Sequence, residues 1–303
     1  MQIVCATDLV PGNDAPIDRA ALLADQLEAE LSLLHVVVPG ESTQPLEQAL
    51  QTARDQMQAR ASPPLWRGQR PPAWAVQTGA PARIIVDTAA RVGARLLVLG
   101  PHRKRPLRDA LEGTIAEKAL AIRRHPVLMV RNTAMRPYRR VLVALDLSDA
   151  SVSAIHAAES LVIAPEVSAR VVHAHEPPYQ AMLAYAGVEQ ESVAVYAQKW
   201  KHEAQRSVHD LLDCESGDAR RYDVHVAQLP AAAGILQAVE QFTPDLLVLG
   251  THGGGSLRRA LVGSVANRVL HETHCDALIV PEGSFDVLDR RMQCIGQPAA
   301  ALR

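Results

Sequence analysis

Residues 250–264 read GTHGGGSLRRALVGS, which sets Gly250, Gly253, Gly263 and Ser264 in the order G-x-x-G, nine residues, G-S. The chemistry this spacing suits is anion binding. A glycine-rich turn lets bare backbone N–H groups approach a phosphate, and a helix starting at Ser264 aims its unpaired amides and positive dipole end at the same point. The apolar run ending at Leu249 reads as a buried strand, and the chain from Val265 onward as a helix. The pattern is neither the lysine-bearing P-loop nor the G-x-G-x-x-G dinucleotide fingerprint, and no lysine follows Gly263. On these fifteen residues alone, an ordinary strand-to-helix loop with Ser264 as the helix cap explains the pattern equally well.

A second chemical group stands at Asp146, just after the apolar run VLVAL at 141–145. A carboxylate at a strand end can accept from a ribose hydroxyl, hold a magnesium ion, or cap its own loop. Both features occur twice. LLVLGPHRKRPLRDALEGTIAEK at 96–118 aligns without a gap with LLVLGTHGGGSLRRALVGSVANR at 246–268, and IVCATDL at 3–9 matches VLVALDL at 141–147. The offset is 150 for the first pair and 138 for the second, so the later copy is about twelve residues longer between its second and third strands. The extra residues fall around 176–187 (EPPYQAMLAYAG), read as a packed surface loop, a lid over the ligand or a subunit contact.

The elements that must position these groups follow from periodicity. Short apolar strands alternate with amphipathic helices in each copy, the pattern of a parallel sheet wrapped by crossover helices. Strands are expected near 2–7, 31–38, 73–78, 95–100 and 126–130, then 139–145, 168–175, 221–228, 245–250 and 277–281. Helices are expected near 16–31, 44–61, 81–92 and 113–124, then 149–163, 188–215, 231–242 and 264–273. The first helix carries Ala20, Leu23, Ala24, Leu27 and Leu31 on one face. The chain thus reads as two tandem α/β domains, 1–135 and 136–282, followed by a mobile tail at 283–303.

Composition narrows the function classes. With 303 residues, 48% of them hydrophobic, the chain can build two cores. A formal net charge of −2 supplies no basic field for nucleic acid. No opening hydrophobic leader and no apolar run near 18 residues is present, so neither secretion nor a membrane span is expected, and the cytoplasm is the expected compartment. Cys5, Cys214, Cys275 and Cys294 lack metal-site or disulfide-framework spacing. His271 and His274 lie three apart at a helix end, where the dipole explains histidine more simply than a metal does.

Taken together, these residues resemble the universal stress protein family in its tandem form, over about residues 1–282. The resemblance implies a Rossmann-like sandwich of the adenine nucleotide alpha-hydrolase type in each domain, with five parallel strands in the order 3-2-1-4-5. It also implies ATP held between the first and fourth strands. Carried over by motif position, Asp146 would face the ribose or adenine side, with Ala144 and Ala174 near the base. Leu249, Gly250, Gly253, Gly263, Ser264 and Val265 would line the ribose and phosphates. In the amino-terminal copy Asp8, Val36, Gly100, Gly113 and Thr114 hold corresponding places, but Arg103 stands where the second glycine should be. A side chain there either obstructs the phosphate or contacts it through its guanidinium. The second copy departs elsewhere: Leu229-Pro230-Ala231 replaces the Gly79-Ala80-Pro81 turn that borders the adenine.

No dedicated general base, nucleophile or arginine finger accompanies the motif. His252 is expected to brace its own loop, and His35 and His173 to be satisfied strand residues. Three readings stand: an ATP-binding regulatory protein of the stress response, a nucleotide-free scaffold or apolar-ligand binder, and a slow magnesium-dependent ATPase. The family resemblance also implies dimerisation through fifth strands. In a tandem chain those edges can pair internally as a pseudo-dimer, leaving a homodimer and an unidentified protein partner open.

Overall fold

In a computed structural model of the chain, the described residues are 1–40, 44–62, 66, 70–100, 115–122, 124–133, 136–162, 164–176, 182, 185–186, 188–251 and 263–285. Gly253, His252, Arg103, Gly113, Thr114 and Cys294 lie outside them, as do most of 176–187 and all of 286–303.

The first repeat contains β1 (Gln2–Ala6), α1 (Ala15–Gln26), β2 (Glu30–Val37), α2 (Leu46–Arg60), β3 (Ala73–Thr78), α3 (Pro81–Val92), β4 (Leu96–Leu99), α4 (Ile115–Ile122) and β5 (Val127–Met129). The second contains β6 (Arg140–Leu145), α5 (Asp149–Leu161), β7 (Ser168–Ala174), α6 (Gln190–Ser216), β8 (Tyr222–Ala227), α7 (Ala231–Phe242), β9 (Leu246–Thr251), α8 (Ser264–Glu272) and β10 (Asp276–Pro281). Central strands such as LLVL in β4 are buried throughout, because helices cover both faces of a parallel sheet.

The strand order is β3-β2-β1-β4-β5-β10-β9-β6-β7-β8. Each half therefore has the order 3-2-1-4-5, and all pairs within a half are parallel. β5 and β10 meet antiparallel, with Leu128 opposite Leu278, so ten strands form one sheet. Buried residues of α1, α2, α5 and α6 pack on one face, and those of α3, α4, α7 and α8 on the other. The antiparallel seam turns the carboxyl edges of the two halves to opposite sides of the molecule.

Local signals set the element ends. Ser148 caps α5 by accepting from Ser151 N, Gly93 ends α3 at φ 64°, and Pro81 sits in the first turn of α3. The first helix is shorter than its periodicity suggested. It stops at Gln26, Glu28 turns left-handed at φ 48°, and Ala29 N bonds back to Ala24 O, so Leu31 belongs to β2. Packed chain also continues past residue 282, since Phe285 is 3% exposed within the core.

Candidate functional site

At the carboxyl edge of the second half, β6 lies between β7 and β9. Register pairs Ala144 with Leu249 and Leu145 with His173, bringing Ala144, Asp146, Leu249 and Gly250 to one edge, with Ala174 on the adjoining strand. A helix joining two parallel strands runs against them, so α8 begins at this same edge. Ser264 and Val265 are its first residues and both are exposed.

Asp146 is tied into a compact turn. Its Oδ1 accepts from Ser148 N at 3.1 Å, from Ser151 Oγ at 2.6 Å and from Ser148 Oγ, while its own N–H donates to Ser151 Oγ at 2.8 Å. Leu147, which follows, adopts φ 63°, and Leu9 after Asp8 adopts φ 58°. A left-handed leucine is unfavourable, and its recurrence in register marks both turns as over-determined by their surroundings. The only sequence signal was the repeated Asp-Leu pair.

Gly250 has a steric explanation. A Cβ built there would lie 2.3 Å from Ala150 O and 3.0 Å from Ser151 N, so glycine lets the first turn of α5 lie against β9. Gly100 does the same in the first half, where a Cβ would lie 2.9 Å from Pro16 Cγ. Gly263 differs from both. Its φ of −48° needs no glycine, no described residue lies within 4 Å of a built Cβ, and it is the N-cap of α8, supplying no side-chain cap to the helix amides. The cap is thus Gly263, with Ser264 already in the helix.

The base end differs between halves. Gly79 has φ 137°, a conformation reserved for glycine, whereas Leu229 in its place is absent from the positive-φ residues. Gly234 in α7 occupies the position of Ile84, and its built Cβ would lie 2.7 Å from Ala174 Cβ and 3.0 Å from Ala227 Cβ. Here α7 is drawn down onto β7 and β8. Sequence reasoning passed over Gly234; an isolated glycine inside a helical pattern was the available signal.

In the first half Asp8 Oδ1 accepts from Val10 N and Oδ2 from Asn13 Nδ2, each at 3.0 Å. Val36 is half-buried in β2 and Gly100 ends β4. His35 Nδ1 donates to Thr7 O at 2.8 Å and His173 Nδ1 to Leu145 O at 2.9 Å, matching bonds that lock the strand ends as expected of satisfied strand histidines. Burial, the larger cause, holds both imidazoles below the ordinary histidine range despite those bonds. His173 also stacks on His175, with centroids 5.7 Å apart, and Trp200 of α6 lies 5.8 Å beyond.

No group of three or more metal-ligating side chains occurs among the described residues. Asp146 remains the candidate magnesium contact. No described helix is long and apolar enough to cross a membrane.

A tandem sheet with the strand order 3-2-1-4-5 in each half and helices on both faces defines a Rossmann-like α/β protein. The chain belongs to the universal stress protein family, in tandem form: the family model matches residues 1–131 and again 137–281. Universal stress protein A homolog 1 of Coxiella burnetii is 30% identical over 146 residues, which cover 47% of this chain and 96% of that protein. Universal stress protein MJ0531 of Methanocaldococcus jannaschii is 28% identical over 144 residues, covering 47% and 82%. In fold, the chain is similar to a universal stress protein from Archaeoglobus fulgidus, with a TM-score of 0.67 at 16% identity over 93% of this chain and 96% of that one.

Proposed function

We propose that this protein is a cytoplasmic ATP-binding regulator of the stress response, with the nucleotide in the second unit, residues 136–282. The observation that carries this reading is the start of α8: a helix N-terminus whose N-cap, Gly263, gives it no side-chain cap and has no described residue within 4 Å of a built Cβ, at the edge that bears Asp146 and Gly250. An anion there meets unpaired amides and the positive dipole end together. Gly253, Gly263, Ser264 and Val265 hold the phosphates, Leu249 and Gly250 the ribose side, and Ala144 and Ala174 the base. Asp146 takes a ribose hydroxyl or a magnesium ion that travels with ATP. The seam of β5 and β10 supports reading the two units as an internal pseudo-dimer.

The first unit, 1–135, is impaired in binding. Arg103 interrupts its glycine pattern, and both Asp8 oxygens already accept from their own loop. The output of ATP binding is a change of shape or partner affinity set by differential binding of ATP to two states.

Denaturing the purified protein and identifying released nucleotide by mass spectrometry tests the reading. One ATP per chain is expected. No nucleotide, and none bound after incubation with ATP and magnesium, would overturn it in favour of a nucleotide-free scaffold. Two per chain would restore the first site, and phosphate release on adding magnesium would make the protein an ATPase.

A further inference from the structure

On the side of the second half away from Asp146 and Gly250, where β9 and β10 begin, the structure holds a cleft of about 760 Å³. The end of α7, the turn that follows α8, linker residues 132–133 and 136–137, and Arg19 of α1 line it, so it draws on both repeats. Its position follows from the crossovers. A helix that starts at the carboxyl edge of a parallel sheet ends at the amino edge, so α7 and α8 both bring their C-termini here.

Two helix ends make this lining rich in acceptors. The last four carbonyls of a helix lack an intrahelical donor and carry its negative dipole end. In α7, Thr243, a left-handed C-cap at φ 45°, donates its N–H to Val239 O, and the Arg140 side chain donates to Phe242 O. The next donor, for Glu240 O, would come from residue 244, a proline without an N–H. In α8, Arg131 donates to Leu270 O, while Asp276 N, four residues beyond Glu272, donates to Asp245 O at 3.3 Å instead. The carbonyls of Glu240 and Glu272 are thus left without the helical donor. Thr273, also in the lining and 2% exposed, has a side-chain oxygen with no hydrogen-bond partner among the described residues.

Charge sharpens the preference. Four carboxylates line the cleft against two guanidiniums. Asp276 holds Arg19 at 3.4 Å, Asp245 accepts from Arg139 N and Arg140 N, and Glu272 pairs with Arg268 at 2.9 Å. Glu240 is in no ion pair among the described residues, and exposed Arg136 is the one cation an incoming positive group would meet. Leu236 and Val239, half-buried on α7, add an apolar wall, which suits an organic cation better than a metal ion. We propose that this cleft binds a small aliphatic amine. Its ammonium, with three donors and no acceptor, is held by Glu240, the helix-end carbonyls and Thr273, and its chain lies along Leu236 and Val239.

Titrating the full chain with hexylammonium while following backbone amide shifts by NMR tests the site, with no need for bound nucleotide. Saturable shifts are expected at Val239, Glu240, Thr243, Thr273 and His274, and none there with hexanoate or hexanol. Glu240→Gln should raise the Kd about threefold, the scale of one exposed charge pair, and Arg136→Gln, which removes a like charge, should lower it about twofold. Both residues are exposed, so both variants should keep the wild-type urea midpoint. Shifts confined to other surfaces, equal binding of hexanoate or hexanol, a Kd unmoved by Glu240→Gln, or a Kd raised alike by both variants would overturn the proposal.

Discussion

Two glycines of one motif do different physical work. Gly250 is required by contact, because any side chain meets the backbone of Ala150, whereas Gly263 has an ordinary φ and no described residue within 4 Å of a built Cβ. Gly250→Ala is therefore expected to lower stability by about 1–3 kcal/mol through overpacking, read as a shifted urea midpoint. Gly263→Val should leave that midpoint within about 0.5 kcal/mol, the usual range for surface changes, while abolishing bound nucleotide. Loss of nucleotide with loss of fold would show that Gly263 acts through packing instead. At Asp146 the serines on its Oδ1 fix the carboxylate before any ligand arrives, a form of preorganisation.

Among the elements, the first and second strands of each half are joined by the same device, a strand histidine donating to the carbonyl just before the acidic turn. Burial favours the neutral rings of His35 and His173, and it also lowers His125 and His225. The unfolded chain takes up protons at the ordinary histidine value, about 6.5, before these folded rings do, so stability present above that value falls as pH drops through it. The urea midpoint should thus be lower near about pH 5.5 than near about pH 7, and His173→Gln should reduce the difference. An unchanged midpoint would mean that these rings titrate alike in both states.

Across the whole molecule, one buried carboxylate organises the seam. Asp276, 1% exposed at the start of β10, accepts from Arg131 N at 2.8 Å, Asn132 N at 3.1 Å and Tyr138 OH at 2.7 Å. It also pairs with Arg19 of α1 at 3.4 Å, and the Arg19 guanidinium lies 3.8 Å from the Tyr138 ring centroid. Together they connect the first repeat, the linker and the second repeat. Asp276→Ala would leave the buried Arg19 without its carboxylate partner, so it is expected to cost about 3–5 kcal/mol. Calorimetry should then split one unfolding transition into two as the halves uncouple. A single transition at lower temperature would place the cooperativity in the β5–β10 pairing and the shared cores instead.

Alternation of apolar strands with amphipathic helices, repeated along the chain, determined by itself the ten strands, most helix boundaries and the two-unit organisation. These are local properties: burial on both faces demands apolar runs, and a helix on a sheet demands a stripe. The family resemblance carried the strand order. Tertiary structure decided what depends on residues far apart in the chain. It assigned Gly250 to a contact with α5, drew Gly234 against Ala174, turned Leu9 and Leu147 left-handed, and buried Phe285 beyond the expected boundary. It also made Asp276 the acceptor that binds the halves. No periodicity encodes such contacts, because each depends on how closely two elements pack once the sheet has formed.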